Sequence, residues 1–120
     1  MARLRKAVRR PVEAAGNMID LIEKKRRTLA QLCQRFHVCR LDVFGSAAVG
    51  DFDESSSDLD FLVEFDESVA DRRFDNYFEL LRALQHLFGK PIDLVEPGGL
   101  KNPYFMRHVN ETRKQLYVAP

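Results

Sequence analysis

Residues 45–60 read GSAAVGDFDESSSDLD and separate two short apolar runs that have the character of β-strands. A glycine–serine pair follows residues 41–44 directly. Two aspartates, separated by a single leucine, precede residues 61–65. The alternation of apolar and polar side chains over residues 58–65 is the most regular in the chain and is typical of a strand with one buried face. The pattern predicts a small sheet built around this turn.

Helical periodicity and turn residues predict the elements around this sheet. Asn17 is a suitable N-cap for the first helix, and Gly89 is a suitable C′ residue for the second long helix. The predicted order is a helix over residues 17–36, a strand over 37–44, one helical turn, a strand over 58–65, a helix over 73–88, a strand over 91–96, a helix over 103–111 and a final or edge strand over 115–118. The fold class is therefore a small α/β (α+β) domain, with helices packed on a mixed sheet.

Each long helix carries an apolar stripe that we expect to face the sheet. The first stripe consists of Met18, Ile22, Leu29, Leu32, Cys33 and Phe36. The second stripe consists of Phe74, Tyr77, Phe78, Leu81, Leu84 and Phe88.

A length of 120 residues predicts one domain. We assign residues 1–16 to a basic extension, either mobile or a short, loosely held helix, and residues 17–120 to the single folded domain. No apolar run is long enough to cross a membrane, and the basic start lacks the apolar segment of a secretory signal, so a cytoplasmic protein is predicted. Cys33 and Cys39 are accordingly expected to be reduced.

The net charge of +1 conceals two halves of opposite sign. Residues 1–40 carry eleven Lys or Arg against three acids, whereas residues 41–80 carry twelve acids against two Arg. A basic half of this kind can meet nucleic acid, an acidic protein or nothing at all. Because no aromatic interleaving and no nucleic-acid motif accompany it, direct nucleic-acid binding is not favoured.

Asp58 and Asp60 are two residues apart on a predicted strand, so their side chains share one face. Asp93, on another strand, is a third carboxylate that can join them. Such a cluster repels itself unless a cation is present, and hard divalent ions such as Mg²⁺ prefer oxygen ligands. A carboxylate cluster can support two-metal phosphoryl or nucleotidyl transfer.

The Gly45–Ser46 turn supplies features that suit a phosphate. Gly45 has no Cβ, so a phosphate can approach its backbone closely, and Ser46 adds a hydroxyl group. The start of the short helix that follows adds unpaired N–H donors.

Each of these features also has a structural explanation. A lone Asp-x-Asp at the start of a strand is more often a surface feature than a metal site, and Asp42 and Glu64 are expected to be solvent-facing strand residues rather than neighbours of the site. His37, His86 and His108 show no ligand spacing and are interpreted as structural. The series from Asp51 to Ser57 resembles the start of a calcium loop, but it lacks the glycine at position six and the glutamate at position twelve, so an EF-hand is excluded.

Together, in this order, the glycine–serine pair, a glycine four residues later, SDLDFLVEF and PIDLVE resemble the DNA polymerase β-type nucleotidyltransferase superfamily. The similarity extends over residues 22–118, including LKNPYF, and is greatest to the minimal, single-domain MNT-type members. It implies that Gly45 and Ser46 hold the triphosphate of ATP and that Asp58 and Asp60 bind Mg²⁺, in a two-ion site. Asp93 would complete that site and help to deprotonate the acceptor hydroxyl. Val49 stands where an arginine is usual, and the loop is one residue longer than the common pattern.

The same resemblance implies an antitoxin that transfers AMP from ATP to a tyrosine hydroxyl of a HEPN-type ribonuclease toxin, a separate chain with which it forms a hetero-oligomer. One alternative is a binding module that neutralises its partner by occlusion alone; the three aspartates argue against it and Val49 argues for it. A second alternative is a small-molecule nucleotidyltransferase, although nothing in the sequence supplies an additional acceptor-binding domain.

Overall fold

The structure is a computed structural model and describes residues 21–49, 58–99 and 102–120. Within these ranges the chain forms four helices with both ends described, two 3-10 segments and four strands, and residues 21–24 are also helical. In chain order they are α1 (Arg26–Arg35), β1 (Val38–Phe44), α2 (Ser46–Val49), β2 (Leu59–Phe65), a 3-10 segment (Glu67–Arg72), α3 (Arg73–Phe88), β3 (Ile92–Val95), a second 3-10 segment (Pro97–Gly99), α4 (Pro103–Thr112) and β4 (Lys114–Val118). The extension predicted over residues 1–16 and the series of residues 51–57 that resembles the start of a calcium loop lie outside the described residues.

The four strands form one mixed sheet in the order β3-β2-β1-β4. β1 is antiparallel to both β2 and β4, whereas β2 and β3 are parallel. The predicted mixed sheet is thereby confirmed, and the final segment of the chain is an edge strand. None of the helices in the described ranges combines the length and the apolar character that crossing a membrane would require.

Apolar side chains cover both faces of the two central strands. The larger cluster lies under α1 and α3 and includes Leu59, Phe61 and Val63 of β2. On the opposite face, Leu62 packs with Phe44 of β1 and Val109 of α4. The predicted alternation of β2 is confirmed. Leu62, which lies on the same face of β2 as Asp60, is buried by α4.

The first predicted helix is present but interrupted. Residues 21–24 are helical, a turn follows at Lys25, and α1 then continues to Arg35. The predicted apolar stripe is confirmed for its described members, because the side chains of Ile22, Leu29, Cys33 and Phe36 are buried. The predicted cap Asn17 and Met18 lie outside the described part of the chain. Cys33 and Cys39 are both free thiols, as predicted, and burial raises the pKa of Cys33 to about 12.

The bounds of α3 agree with the prediction, and Gly89 ends it in the left-handed conformation at φ 64°. Its predicted buried face is wrong in part, because Phe74 is 74% exposed and Phe78 is 38% exposed. The buried positions of α3 are Asn76, Leu80, Leu84 and Phe88. In this orientation Leu80, Leu84 and Phe88 enter the core, and the amide of Asn76 donates a hydrogen bond of 2.7 Å to the carbonyl of Phe36.

Candidate active site

Asp60 and Asp93 lie side by side on neighbouring parallel strands. They are direct partners in the β2–β3 register. Because neighbouring strands are about 4.8 Å apart and paired residues project to the same face, the two carboxylates share one face of the sheet. Asp58 occupies the exposed position immediately before β2, two residues from Asp60. The structure therefore brings the three predicted carboxylates to one end of β2 and β3.

Asp60 is the most perturbed of these carboxylates. Its pKa is raised to about 6, first by burial and then by the negative charges of Asp93 and Asp58. The charge of His108 on α4 acts in the opposite direction and is the smallest of these causes, so the structural interpretation of this histidine stays a prediction. The ionised form of Asp60 is stabilised by any cation placed at the cluster, because a positive charge offsets both causes.

Gly45 packs against the carboxylate of Asp60. Its φ of 75° lies in the left-handed region, and a Cβ added here would lie 2.7 Å from Oδ2 of Asp60. Phe44, the preceding residue, is paired in register with Asp60 across β1 and β2. The glycine is thus required for the turn and for the close approach of Asp60, in addition to any contact with a phosphate.

The backbone N–H of Gly45 is already engaged within the protein. It donates a hydrogen bond of 2.9 Å to Oγ1 of Thr112, the last residue of α4. The Thr112 hydroxyl in turn donates to the carbonyl of His108, also at 2.9 Å. Thr112 was missed by the sequence analysis because it follows the predicted end of that helix, and its partner is 67 residues away.

Asp42 of β1 contradicts the sequence-based expectation. It is fully buried, not solvent-facing, and it pairs with Arg40 at 3.1 Å and with Arg113. Burial is tolerated because both carboxylate oxygens accept hydrogen bonds from guanidinium groups. The expectation for Glu64 is confirmed, since it is exposed on β2.

The helical turn predicted after the glycine–serine pair is present as α2. The side chains of Ser46 and Val49 lie outside the described part of the structure, so the predicted phosphate contact of Ser46 stays a prediction. Across the described ranges, no three His, Cys, Asp or Glu side chains are arranged as a ready-made metal site. The ligand roles of Asp58, Asp60 and Asp93 accordingly also stay predictions.

A surface cavity of about 650 Å³ lies beside the start of α3, with Phe74, Tyr77, Phe78 and Glu96 among its lining residues. Asp58, Asp60 and Asp93 are not among them. The cavity and the carboxylates are therefore separate features of the surface.

Comparison with known proteins identifies the class that this fold and site define. The nucleotidyltransferase domain family matches residues 25–116, and the chain belongs to that family. The resemblance noted from the sequence is confirmed, and the protein is a nucleotidyltransferase.

The chain is 32% identical, over 92 residues, to a protein of Methanocaldococcus jannaschii named as a protein adenylyltransferase, covering 77% of this chain and 87% of that protein. A solved structure described as a minimal nucleotidyltransferase superposes with a TM-score of 0.66 at 34% identity, covering 79% of this chain and 92% of that one. One chain of the solved complex of a tri-AMPylated Shewanella oneidensis HEPN toxin with MNT antitoxin superposes with a TM-score of 0.54 at 17% identity, covering 82% of this chain and 73% of that one. This last likeness concerns the fold alone.

Proposed function

We propose that the protein is a Mg²⁺-dependent protein adenylyltransferase that transfers AMP from ATP to a tyrosine hydroxyl of a HEPN-type ribonuclease toxin, and thereby acts as its antitoxin. The observation that carries this proposal is the in-register pairing of Asp60 with Asp93, beside the Gly45 turn. It brings the strand positions of Asp60 and Asp93 next to the turn that would hold the triphosphate.

The residues present fit a divalent cation by their chemistry. Asp58, Asp60 and Asp93 offer oxygen donors only, which is what Mg²⁺ selects. Burial first, and then the negative charges of Asp93 and Asp58, raise the pKa of Asp60, and a bound cation would favour its ionised form. When bound, Mg²⁺ would supply charge neutralisation for the phosphates and the attacking oxygen.

In the proposed reaction the acceptor hydroxyl oxygen bonds to the α-phosphorus of ATP. The bond from that phosphorus to the oxygen bridging to the β-phosphate breaks, and pyrophosphate leaves. The hydroxyl proton passes to a carboxylate, for which Asp93 is our choice because it is exposed at the edge strand where an acceptor can approach. The products are an AMP–tyrosine phosphodiester and pyrophosphate.

Two relationships support a protein acceptor and a HEPN-type partner. The relative from Methanocaldococcus jannaschii is named as a protein adenylyltransferase. The structurally similar antitoxin is bound to a HEPN toxin that is itself AMPylated. A separate toxin chain would complete the complex, as a hetero-oligomer.

The test is transfer of label from α-³²P-ATP with Mg²⁺ to the protein encoded by the adjacent reading frame, after co-expression and purification of both. The expected result is label on a tyrosine of that partner, lost in the Asp58→Asn, Asp60→Asn double variant. Asp75→Asn, on the exposed surface of α3, is the matched control and should transfer label normally.

If the double variant labels the partner as the wild type does, the catalytic proposal is wrong. If neither labels it, yet both protect cells from the partner, neutralisation occurs by occlusion instead. Label on a small molecule rather than on the partner would show a small-molecule nucleotidyltransferase.

A further inference from the structure

Helix α4 is tied to β1 at two adjacent points. Thr112 accepts the N–H of Gly45, and Arg113 pairs with the buried carboxylate of Asp42. Asp42 and Gly45 are three residues apart, at the end of β1 that leads into the glycine–serine turn. The end of α4 therefore holds both the last part of β1 and the first residue of the turn.

We propose that Thr112 is a positioning residue for nucleotidyl transfer, whose hydroxyl fixes the Gly45 peptide and so sets the glycine–serine turn relative to Asp60. The inference rests on the proposed function, in which this turn holds the triphosphate. Thr112 does not contact the reacting atoms in this proposal. It acts through Gly45.

The geometry supports this role at each step. Gly45 is buried, and its left-handed φ and its contact with Asp60 leave it little freedom to shift. Its N–H donates to one side-chain oxygen, which is itself oriented by its hydrogen bond to the carbonyl of His108. Because a buried N–H without a partner is costly, the turn must move or admit water if the Thr112 hydroxyl is removed.

One consequence concerns how the turn contacts phosphate. The N–H of Gly45 points to Thr112, so it is not a phosphate donor in this arrangement. Gly45 would therefore serve the site by its conformation and by the absence of a Cβ.

The test compares three variants in the complex with the partner. Thr112→Val keeps the side-chain shape and removes the hydroxyl, and Thr112→Ser restores the hydroxyl. Thr28→Val makes the same chemical change at an exposed position of α1.

We expect Thr112→Val to lower kcat/KM for ATP about 10- to 100-fold, mainly through kcat, because a misplaced α-phosphate reacts slowly even when it is bound. Thr112→Ser and Thr28→Val should stay within about 3-fold of the wild type, since neither loses the contact.

A second measurement does not depend on activity. In the ¹⁵N-labelled protein, the amide of Gly45 should be protected from hydrogen exchange in the wild type and in Thr112→Ser, and should lose protection in Thr112→Val. If Thr112→Val does not fold, the wild-type Gly45 amide still tests the proposal, because free exchange there would overturn it.

The outcomes separate this inference from the proposed function. A wild-type complex that transfers AMP, with Thr112→Val equally active per folded molecule and merely less heat-stable, would show a structural role alone and overturn the inference. A wild-type complex that transfers no AMP would refute the proposed function and the catalytic role of Thr112 with it. In that case, protection of the Gly45 amide would show only that the contact exists.

Discussion

Asp42 on β1 and Arg113 after α4 form a buried ion pair between residues 71 positions apart. Asp42 has no exposed surface, whereas the side chains of Arg113 and Arg40 are 22% and 40% exposed. The pair joins the centre of the sheet to the segment that leads from α4 into β4. The ion pair therefore links two distant parts of the chain next to the candidate site.

Removing one partner of this pair should be strongly destabilising. We expect Arg113→Met to lower the free energy of unfolding by about 3 kcal/mol, because it leaves a buried carboxylate with one partner fewer. Arg40→Met should cost about 1 kcal/mol or less, since this arginine is nearer to solvent. Urea denaturation of both variants measures the difference, and Glu79→Gln on the exposed surface of α3 is the control. Equal costs for the two arginine variants would contradict this ranking.

Gly45 and Gly89 form a matched pair for testing the turn. Both have positive φ, but a Cβ at Gly89 would meet nothing within 4 Å, whereas one at Gly45 would meet Asp60. Gly89→Ala should cost about 1–2 kcal/mol from backbone strain alone. Gly45→Ala should cost more and should also abolish AMP transfer, because it displaces Asp60. Thermal unfolding and labelling of both variants check this, and an active Gly45→Ala variant would show that the close contact is not needed.

The raised pKa of Asp60 predicts a pH-dependent stability. Since the folded-state pKa of about 6 lies above the ordinary value of 3.8, the folded state holds this proton more tightly than the unfolded chain. The stabilisation that protonated Asp60 gives the folded state is complete below about pH 4 and is lost as the pH rises through about 6. Asp60→Asn should therefore be more stable than the wild type by about 1 kcal/mol at pH 7, allowing for solvent screening, and should lose that advantage near pH 4.

Urea unfolding at the two pH values measures this advantage. Mg²⁺ should reduce it at pH 7 by stabilising the wild type alone, as expected for an ion that binds only the folded site. Asp75→Asn is the control and should show no such pattern. A constant difference between Asp60→Asn and the wild type at both pH values would disprove the cause that we assign.

The orientation of α3 can be tested with two of its apolar residues. Leu84 is fully buried and Phe74 is 74% exposed, although both belong to the stripe that the sequence predicted to be buried. Leu84→Ala should cost about 2–5 kcal/mol, as for other large-to-small changes in a core. Phe74→Ser should change the free energy of unfolding by no more than about 0.5 kcal/mol. A large loss of stability in Phe74→Ser would mean that the helix faces the other way.

Local patterns determined most of the elements of this protein. The alternation over residues 58–65, the bounds of α3 and its end at Gly89 depend on contiguous residues, so their physical causes are visible in the sequence. The candidate carboxylates were also accessible from the sequence, because the Asp-x-Asp pair and the later strand with Asp93 are local motifs. Their pairing in register is seen only in the folded sheet.

Only the tertiary structure decided which long-range partners those residues have. Asp42 was expected at the surface because alternation assigns it to the polar face of β1, but α4 and Arg113 cover that face. The buried face of α3 was predicted wrongly in part because helical periodicity alone did not reveal that Asn76 would be buried with a partner 40 residues away, the carbonyl of Phe36. The contact of Thr112 with Gly45 had no local signal, since a hydroxyl near a helix end finds its partner only once the chain has folded. These interactions join residues 40 to 71 positions apart, and no periodicity within one segment records them.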